Sequence, residues 1–233
     1  MKKFFICLFL LCAAFNMQAE KDVTKFLGIP VDGSKFDMIN KLLNKGFTIL
    51  NPDKDTLEGV FNGKEVILHV VTNQDKVYRI IVQEKQISDA TDIKIRFNNL
   101  CKQFENNPKY ISLDNYIIPE NENVEYKITE KRYEADYFQS VDILNEELIQ
   151  EIGDSIINEL LTKYTQEELD NPTDEISAQI EKEKLKYVSN LIFQKPVWFK
   201  IEKMNINFNR ERKYYTLLIF YDNEYNKANG EDL

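Results

Sequence analysis

The sequence predicts an α+β fold, in which an antiparallel β-meander sheet has helices packed on one face and a helical insertion in its second half. Three observations predict it. A capped helix is followed by a hairpin around Asn62-Gly63 and a third strand. A second amphipathic helix comes next, and a long helical stretch then precedes a final strand pair.

The first helix has clear start and stop signals. Ser34 is a typical N-cap with Asp37 three residues later, and Gly46 suits the position just after the helix. Its apolar residues at helical spacing are Phe36, Ile39 and Leu43. We therefore expect a helix of about ten residues that lays this stripe on the sheet.

The Asn62-Gly63 dipeptide predicts a hairpin with a two-residue turn, because both residues accept positive φ angles. This turn sets Phe61 opposite Lys64 and Leu57 opposite Leu68. One apolar face then contains Leu57, Phe61, Val66, Leu68 and Val70. A third strand, 76–83, adds Tyr78, Ile80 and Val82 to the same core.

A second helix is predicted from a cap at Asp89 or Thr91 to about Glu105. Its apolar stripe is Ile93, Phe97, Leu100, Cys101 and Phe104. We divide the chain after it, into a unit over 20–108 and a second part over 109–233. The second part has predicted strands at 124–129, 132–139, 197–208 and 213–221, and a helical insertion at 141–193 formed by helices over 142–164 and 171–193.

The first 19 residues have the features of a secretory signal peptide: Lys2 and Lys3, the apolar run 4–15, and a small-residue site ending at Ala19. The apolar run is shorter than the roughly 20 residues of a membrane-spanning helix. Cleavage predicts a periplasmic or secreted protein. A lipidated Cys12 is the alternative, although Leu11 is larger than the residue that normally precedes such a cysteine.

Composition excludes several classes of function. The 214 residues after residue 19 contain 28 basic and 39 acidic side chains, a net charge of −11. We therefore expect no nucleic-acid partner, since such binding requires cationic surface. No later segment predicts a transmembrane helix. Cys101 is the one cysteine after the signal, so no internal disulfide is expected.

Candidate catalytic and cofactor-binding residues are few, and we predict no enzyme activity, cofactor or metal site. His69 is the single histidine and lies within a predicted strand, while Cys101 lies on an apolar helix stripe. Asp222, Glu224 and Asn226 match three calcium-loop positions, but Lys227 replaces the required glycine. We expect this segment to be a solvated turn. Paired carboxylates leave a polysaccharide hydrolase open as an alternative.

Aromatic residues of the last two strands form a possible interaction patch: Trp198, Tyr214, Tyr215 and Tyr221. Such a patch on an open sheet face predicts binding of an unidentified protein partner. Nine acidic residues against one basic between Val141 and Asp170 also suit a basic partner, or a solvated helix face. A carrier of a small apolar ligand is a further alternative.

The segments FLGIPVDGSKFDMINKLLNKGF and LEGVFNGKEVILHV, with the ending YYTLLIFYDNEYNKANGEDL, resemble a family of exported, uncharacterised proteins of gut Bacteroidales. The glycine-closed helix followed by a meander is also similar to the small α+β unit of β-lactamase-inhibitor-like and outer-membrane-assembly lipoproteins. That second resemblance implies protein binding across an exposed sheet face. Neither resemblance implies catalytic residues.

Overall fold

The computed structural model describes residues 22–50, 56–128, 131–140, 146–204 and 213–228, which form an α+β fold. The helices are α1 Lys35–Asn44, α2 Ala90–Glu105, α3 Val124–Lys127, α4 Glu146–Leu161, α5 Gln166–Asp170 and α6 Asp174–Phe193. The strands are β1 Lys25–Phe26, β2 Ile29–Pro30, β3 Thr48–Ile49, β4 Thr56–Phe61, β5 Lys64–Asn73, β6 Lys76–Glu84, β7 Tyr110–Ser112, β8 Glu134–Gln139, β9 Pro196–Met204 and β10 Tyr214–Asp222.

One antiparallel sheet joins the two halves of the chain. Its eight strands follow the order β3-β4-β5-β6-β10-β9-β8-β7. The last strand, β10, pairs with β6 on one side and with β9 on the other. The buried apolar core accordingly contains residues of both halves, with α1 and α2 covering one face of the sheet.

Helix α1 has the predicted caps but a different buried face. Ser34 Oγ accepts a hydrogen bond from the Asp37 N–H at 3.1 Å, and Gly46 has a φ of +93°. Met38 and Leu42 are fully buried, whereas Phe36 is 72% exposed. The predicted stripe was wrong at Phe36, because the helix turns toward the sheet along 38–42 and leaves the start of its first turn outside. Ile39 and Leu43 pack partly against the core.

The hairpin of β4 and β5 has the predicted register, with Phe61 opposite Lys64 and Leu57 opposite Leu68. The third strand, β6, differs from its prediction at its first residues. A shift of register between Val71 and Thr72 breaks the alternation along the β5–β6 pair. Val77 is therefore fully buried in the core while Tyr78 is only half-buried.

Helix α2 matches its prediction throughout. Asp89 Oδ1 accepts hydrogen bonds from the Thr91 and Asp92 N–H groups, both at 2.9 Å. All five predicted stripe residues are buried beneath it: Ile93, Phe97, Leu100, Cys101 and Phe104.

The segment after α2 was predicted least well. Residues 124–127 form a short helix rather than a strand, because Asn123 Oδ1 accepts a hydrogen bond from the Tyr126 N–H at 3.1 Å and caps the turn. Strand β7 and helix α5 were missed. The predicted strand end at 205–208 lies outside the described residues, as do the signal peptide, Cys12 and residues 141–145.

Helices α4, α5 and α6 form the helical insertion between β8 and β9. Among the side chains of this insertion that the structure describes, Leu160 of α4 and Ile180 of α6 are buried. Where α6 returns to the sheet, the ring of Phe193 contacts that of Phe138, with centroids 5.0 Å apart. None of the helices in the described ranges combines the length and the apolar character needed to cross a membrane.

Candidate functional site

The sheet face opposite α1 and α2 carries a row of side chains that crosses five strands. Paired residues in successive strands are His69, Ile81, Phe220, Trp198 and Asp136. Side chains in register on neighbouring strands share a face, so these five lie on one surface. We call this row and its neighbours Arg79, Lys200 and Leu218 the outer face.

A cluster of aromatic and charged groups is fixed at the centre of the outer face. The Trp198 and Phe220 rings are stacked, with centroids 3.8 Å apart and planes inclined by 9°. The Arg79 guanidinium lies 5.1 Å from the Phe220 centroid and 5.5 Å from that of Trp198. Trp198 stays half-buried while Phe220 is buried, so the indole is the part of the pair that reaches the surface.

Asp222 holds this cluster in place. Arg79 Nε and Nη2 donate to the two Asp222 carboxylate oxygens, each at 2.6 Å, and Trp198 Nε1 donates to Oδ2 at 3.0 Å. The hydrogen bond to Asp222 raises the pKa of Arg79 above its ordinary value, against the lowering effect of desolvation. These hydrogen bonds therefore hold the Arg79 and Trp198 side chains in a defined arrangement on the surface.

Charged side chains surround the cluster. Lys85 pairs with Glu58 and Lys200 pairs with Glu202, each with an N–O distance of 2.6 Å. Glu134 and Asp136 lie two residues apart on β8 and so share the outer face. Burial, and then the negative charge of Glu134, raise the pKa of Asp136. The outer face thus has an aromatic centre and a rim of both signs of charge.

The predicted patch is divided between the two faces of the sheet. Trp198 and Tyr214 are partly exposed, but Tyr215 is fully buried and Tyr221 is only 4% exposed. The inclusion of Tyr215 and Tyr221 in a surface patch was wrong, because odd-numbered positions of β10 face the helix-covered core. The sequence analysis did not assign Arg79 and Asp222 to the patch. The one available signal was an arginine in the predicted strand 76–83, which could have been matched with the aromatic residues of the last two strands.

The single histidine does not lie near Asp136, the carboxylate whose pKa is raised. His69 and Asp136 occupy the same row but are four strand spacings apart, or about 19 Å. Cys101 is fully buried, and desolvation raises the pKa of its thiol to about 12. A thiol in this state is a core side chain and not a nucleophile.

The segment that resembled a calcium loop is a turn that is buried at its start, at Asp222 and Asn223, and exposed at Tyr225 and Lys227. Asn223 is fully buried and donates to the Val31 carbonyl at 2.8 Å. Asn226 donates to Asp32 Oδ1 at 2.7 Å and to the Val77 carbonyl at 2.9 Å. The prediction of a turn is confirmed at 224–227, but the turn is solvated only in part, because these amides join the N-terminal segment to β6. Within the described ranges, no group of three or more His, Cys, Asp or Glu side chains is placed to hold a metal ion.

A cleft of about 440 Å³ lies on the helix-covered side of the sheet. It opens between the β1–β2 turn, the β4–β5 turn and the last turns of α2. Four aromatic rings line it: Phe61, Phe104, Tyr110 and Tyr221. Asn62 Nδ2 donates to Gln103 Oε1 at 2.8 Å and closes the rim between the hairpin and α2. The sequence did not predict this cleft, because its walls come from five separate segments.

No family model, curated protein or solved structure matches this chain. The resemblance to exported proteins of gut Bacteroidales, and that to the lipoprotein α+β unit, therefore stay predictions. The geometry of the outer face and of the cleft is the basis for the proposals that follow.

Proposed function

We propose that this chain is a non-enzymatic exported protein, periplasmic or secreted, that binds another protein through the outer face of its sheet. The observation that carries the proposal is the fixed cluster of Trp198, Phe220 and Arg79 at the centre of that face. Protein interfaces are enriched in Trp and Arg at their centres and are polar at their rims. The pattern of residues 1–19 supports export.

The fixed geometry of the cluster favours recognition of a folded partner. Asp222 already orders Arg79 and Trp198, so binding would cost little side-chain entropy at the centre of the contact. The rim pairs Lys85–Glu58 and Lys200–Glu202 present both signs of charge. A partner with an apolar centre and a mixed polar rim is complementary to this surface.

The test compares two charge insertions in the mature protein. Ile81→Arg places a cation in the half-buried row beside Phe220, whereas Phe36→Arg places one at a 72% exposed position of α1, on the other side of the sheet. We expect Ile81→Arg to abolish recovery of the partner that copurifies with wild type from envelope extract, and Phe36→Arg to retain it. Equal recovery by two folded variants would refute the proposal.

A carboxylate-dependent polysaccharide hydrolase is the second candidate. It is favoured by Asp136, whose raised pKa and nearness to Glu134 are properties of a general acid beside a second carboxylate. The assay is release of reducing ends from envelope polysaccharide. Hydrolysis by wild type that is lost in Asp136→Asn would establish this function, and absence of hydrolysis by wild type would reject it.

A further inference from the structure

The cleft has the size and lining of a small-molecule site. Its volume of about 440 Å³ lies within the range of about 300–1,000 Å³ that is usual for ligand pockets. The aromatic side chains that line the cleft pack against one another. Phe104 contacts Tyr110 with centroids 4.6 Å apart, and Phe61 contacts Tyr221 at 6.3 Å.

The polar groups of the cleft are neutral. They are the amides of Asn62, Gln103 and Asn107 and the hydroxyls of Tyr110 and Tyr221, and none of the described lining residues is charged. Burial raises the pKa of Tyr221 well above its ordinary value, and Tyr110 raises it further through its negative form and a hydrogen bond. Tyr221 therefore stays protonated at neutral pH, and because no described lining side chain is an acid or a base of the Asp, Glu, Lys or Arg type, a charged ligand would find no ionic partner there.

Leu27 at the mouth is held in an unfavourable conformation. Its φ of +51° is a left-handed angle that a leucine rarely adopts, and its side chain is 40% exposed at the cleft. Strain of this kind is found more often at functional sites than elsewhere. A polar residue or glycine would suit the β1–β2 turn better, so the apolar side chain at this position needs a reason beyond folding.

We infer that this cleft binds a small uncharged aromatic molecule, with Leu27 closing over it and the amides at the rim hydrogen-bonding to its polar edge. Aromatic walls favour a planar ring through edge and offset contacts. Neutral polar groups favour a hydroxyl or an amide over a carboxylate on the ligand. This site lies on the opposite side of the sheet from the outer face, and the inference does not depend on the proposed protein partner.

The experiment titrates the mature protein with N-phenyl-1-naphthylamine, a neutral aromatic dye whose fluorescence rises in apolar sites. We expect saturable binding with one site per chain. 1-Naphthol should displace the dye at least about tenfold better than 1-naphthoate, which has the same ring system with a charged group. Absence of saturable binding, or equal competition by the two ligands, would overturn the inference.

A pair of glycine variants locates the site. Leu27→Gly relieves the left-handed strain and removes the side chain at the mouth, so the protein should fold as well as wild type but bind the dye about fivefold more weakly. Gln74→Gly relieves a similar φ of +48° in the β5–β6 turn, at the opposite end of β5 from the cleft, and should bind like wild type. Unchanged binding by Leu27→Gly, or an equal loss in Gln74→Gly, would place the dye elsewhere and refute the site.

Discussion

Arg79 of β6 and Asp222 of β10 form a bidentate ion pair at the junction of the two halves of the sheet, with both N–O distances 2.6 Å. The Asp222 side chain is 3% exposed and that of Arg79 is 21% exposed. The same aspartate accepts the Trp198 indole N–H. One carboxylate thus stabilises the pairing of β6 with β10 and orders the aromatic centre of the outer face.

Loss of Arg79 should be costly for stability. Arg79→Met leaves the Asp222 carboxylate buried with the indole N–H as its remaining side-chain donor, and we expect a loss of about 2–4 kcal/mol of unfolding free energy. Lys85→Met is the control, because Lys85 forms an exposed pair with Glu58 and should have a far smaller effect. Urea denaturation measures both. Equal midpoints for the two variants would contradict the role assigned to Arg79.

Substitution by alanine should change the stability of the protein in opposite directions at two glycines. Gly46 has a φ of +93°, so Gly46→Ala should destabilise the protein by about 1–2 kcal/mol. Gly153 lies inside helix α4, where an alanine methyl would meet nothing within 4 Å beyond its chain neighbours and the helix backbone, so Gly153→Ala should stabilise that helix by about 0.5–1 kcal/mol. Thermal melts of the two variants test the signs. A Gly46→Ala variant as stable as wild type would contradict the positive φ angle of the residue that follows α1.

Cys101 should be unreactive in the folded protein. Burial raises the pKa of its thiol from an ordinary value of 9.0 to about 12, so little thiolate is present at pH 8. Labelling with a disulfide reagent should be slow in buffer and rapid in denaturant. The folded thiol keeps its proton to a higher pH than the unfolded thiol. Its contribution to stability is therefore complete below pH 9 and falls as the pH rises toward 12. Rapid labelling without denaturant would contradict burial.

The parts of the fold that the sequence predicted well are those with local signals. The Asn62-Gly63 turn determines the hairpin register, and the Asp89 cap and apolar spacing determine α2. The errors came from tertiary effects. Because of the bulge after Val71, Val77 is buried in the core in place of Tyr78. The buried face of α1 depends on how the helix packs on β5. Neither effect has a marker within a single element.

The candidate sites depend on long-range pairing and were predicted only in part. Trp198 was identified from its aromatic neighbours, but its partners come from β6 and β10, and Trp198 lies 119 positions after Arg79 in the chain. Tyr215 and Tyr221 were assigned to the surface although alternation places the adjacent Tyr214 and Tyr215 on opposite faces of β10, and the sequence alone does not say which of those faces is covered. The cleft required the positions of the β1–β2 turn, the β4–β5 turn and α2 relative to one another.

Site-specific photo-crosslinking tests the central claim, that the outer face binds a protein, most directly. A photoreactive amino acid is placed at Ile81 or Leu218 on the outer face, and at Phe36 on α1 as the control, and the chain is irradiated in its own envelope. We expect one and the same protein to be crosslinked from Ile81 and Leu218, and not from Phe36, with Arg79→Met weakening both crosslinks. A protein adduct from Phe36 alone, or no protein adduct from either outer-face position, would contradict the account.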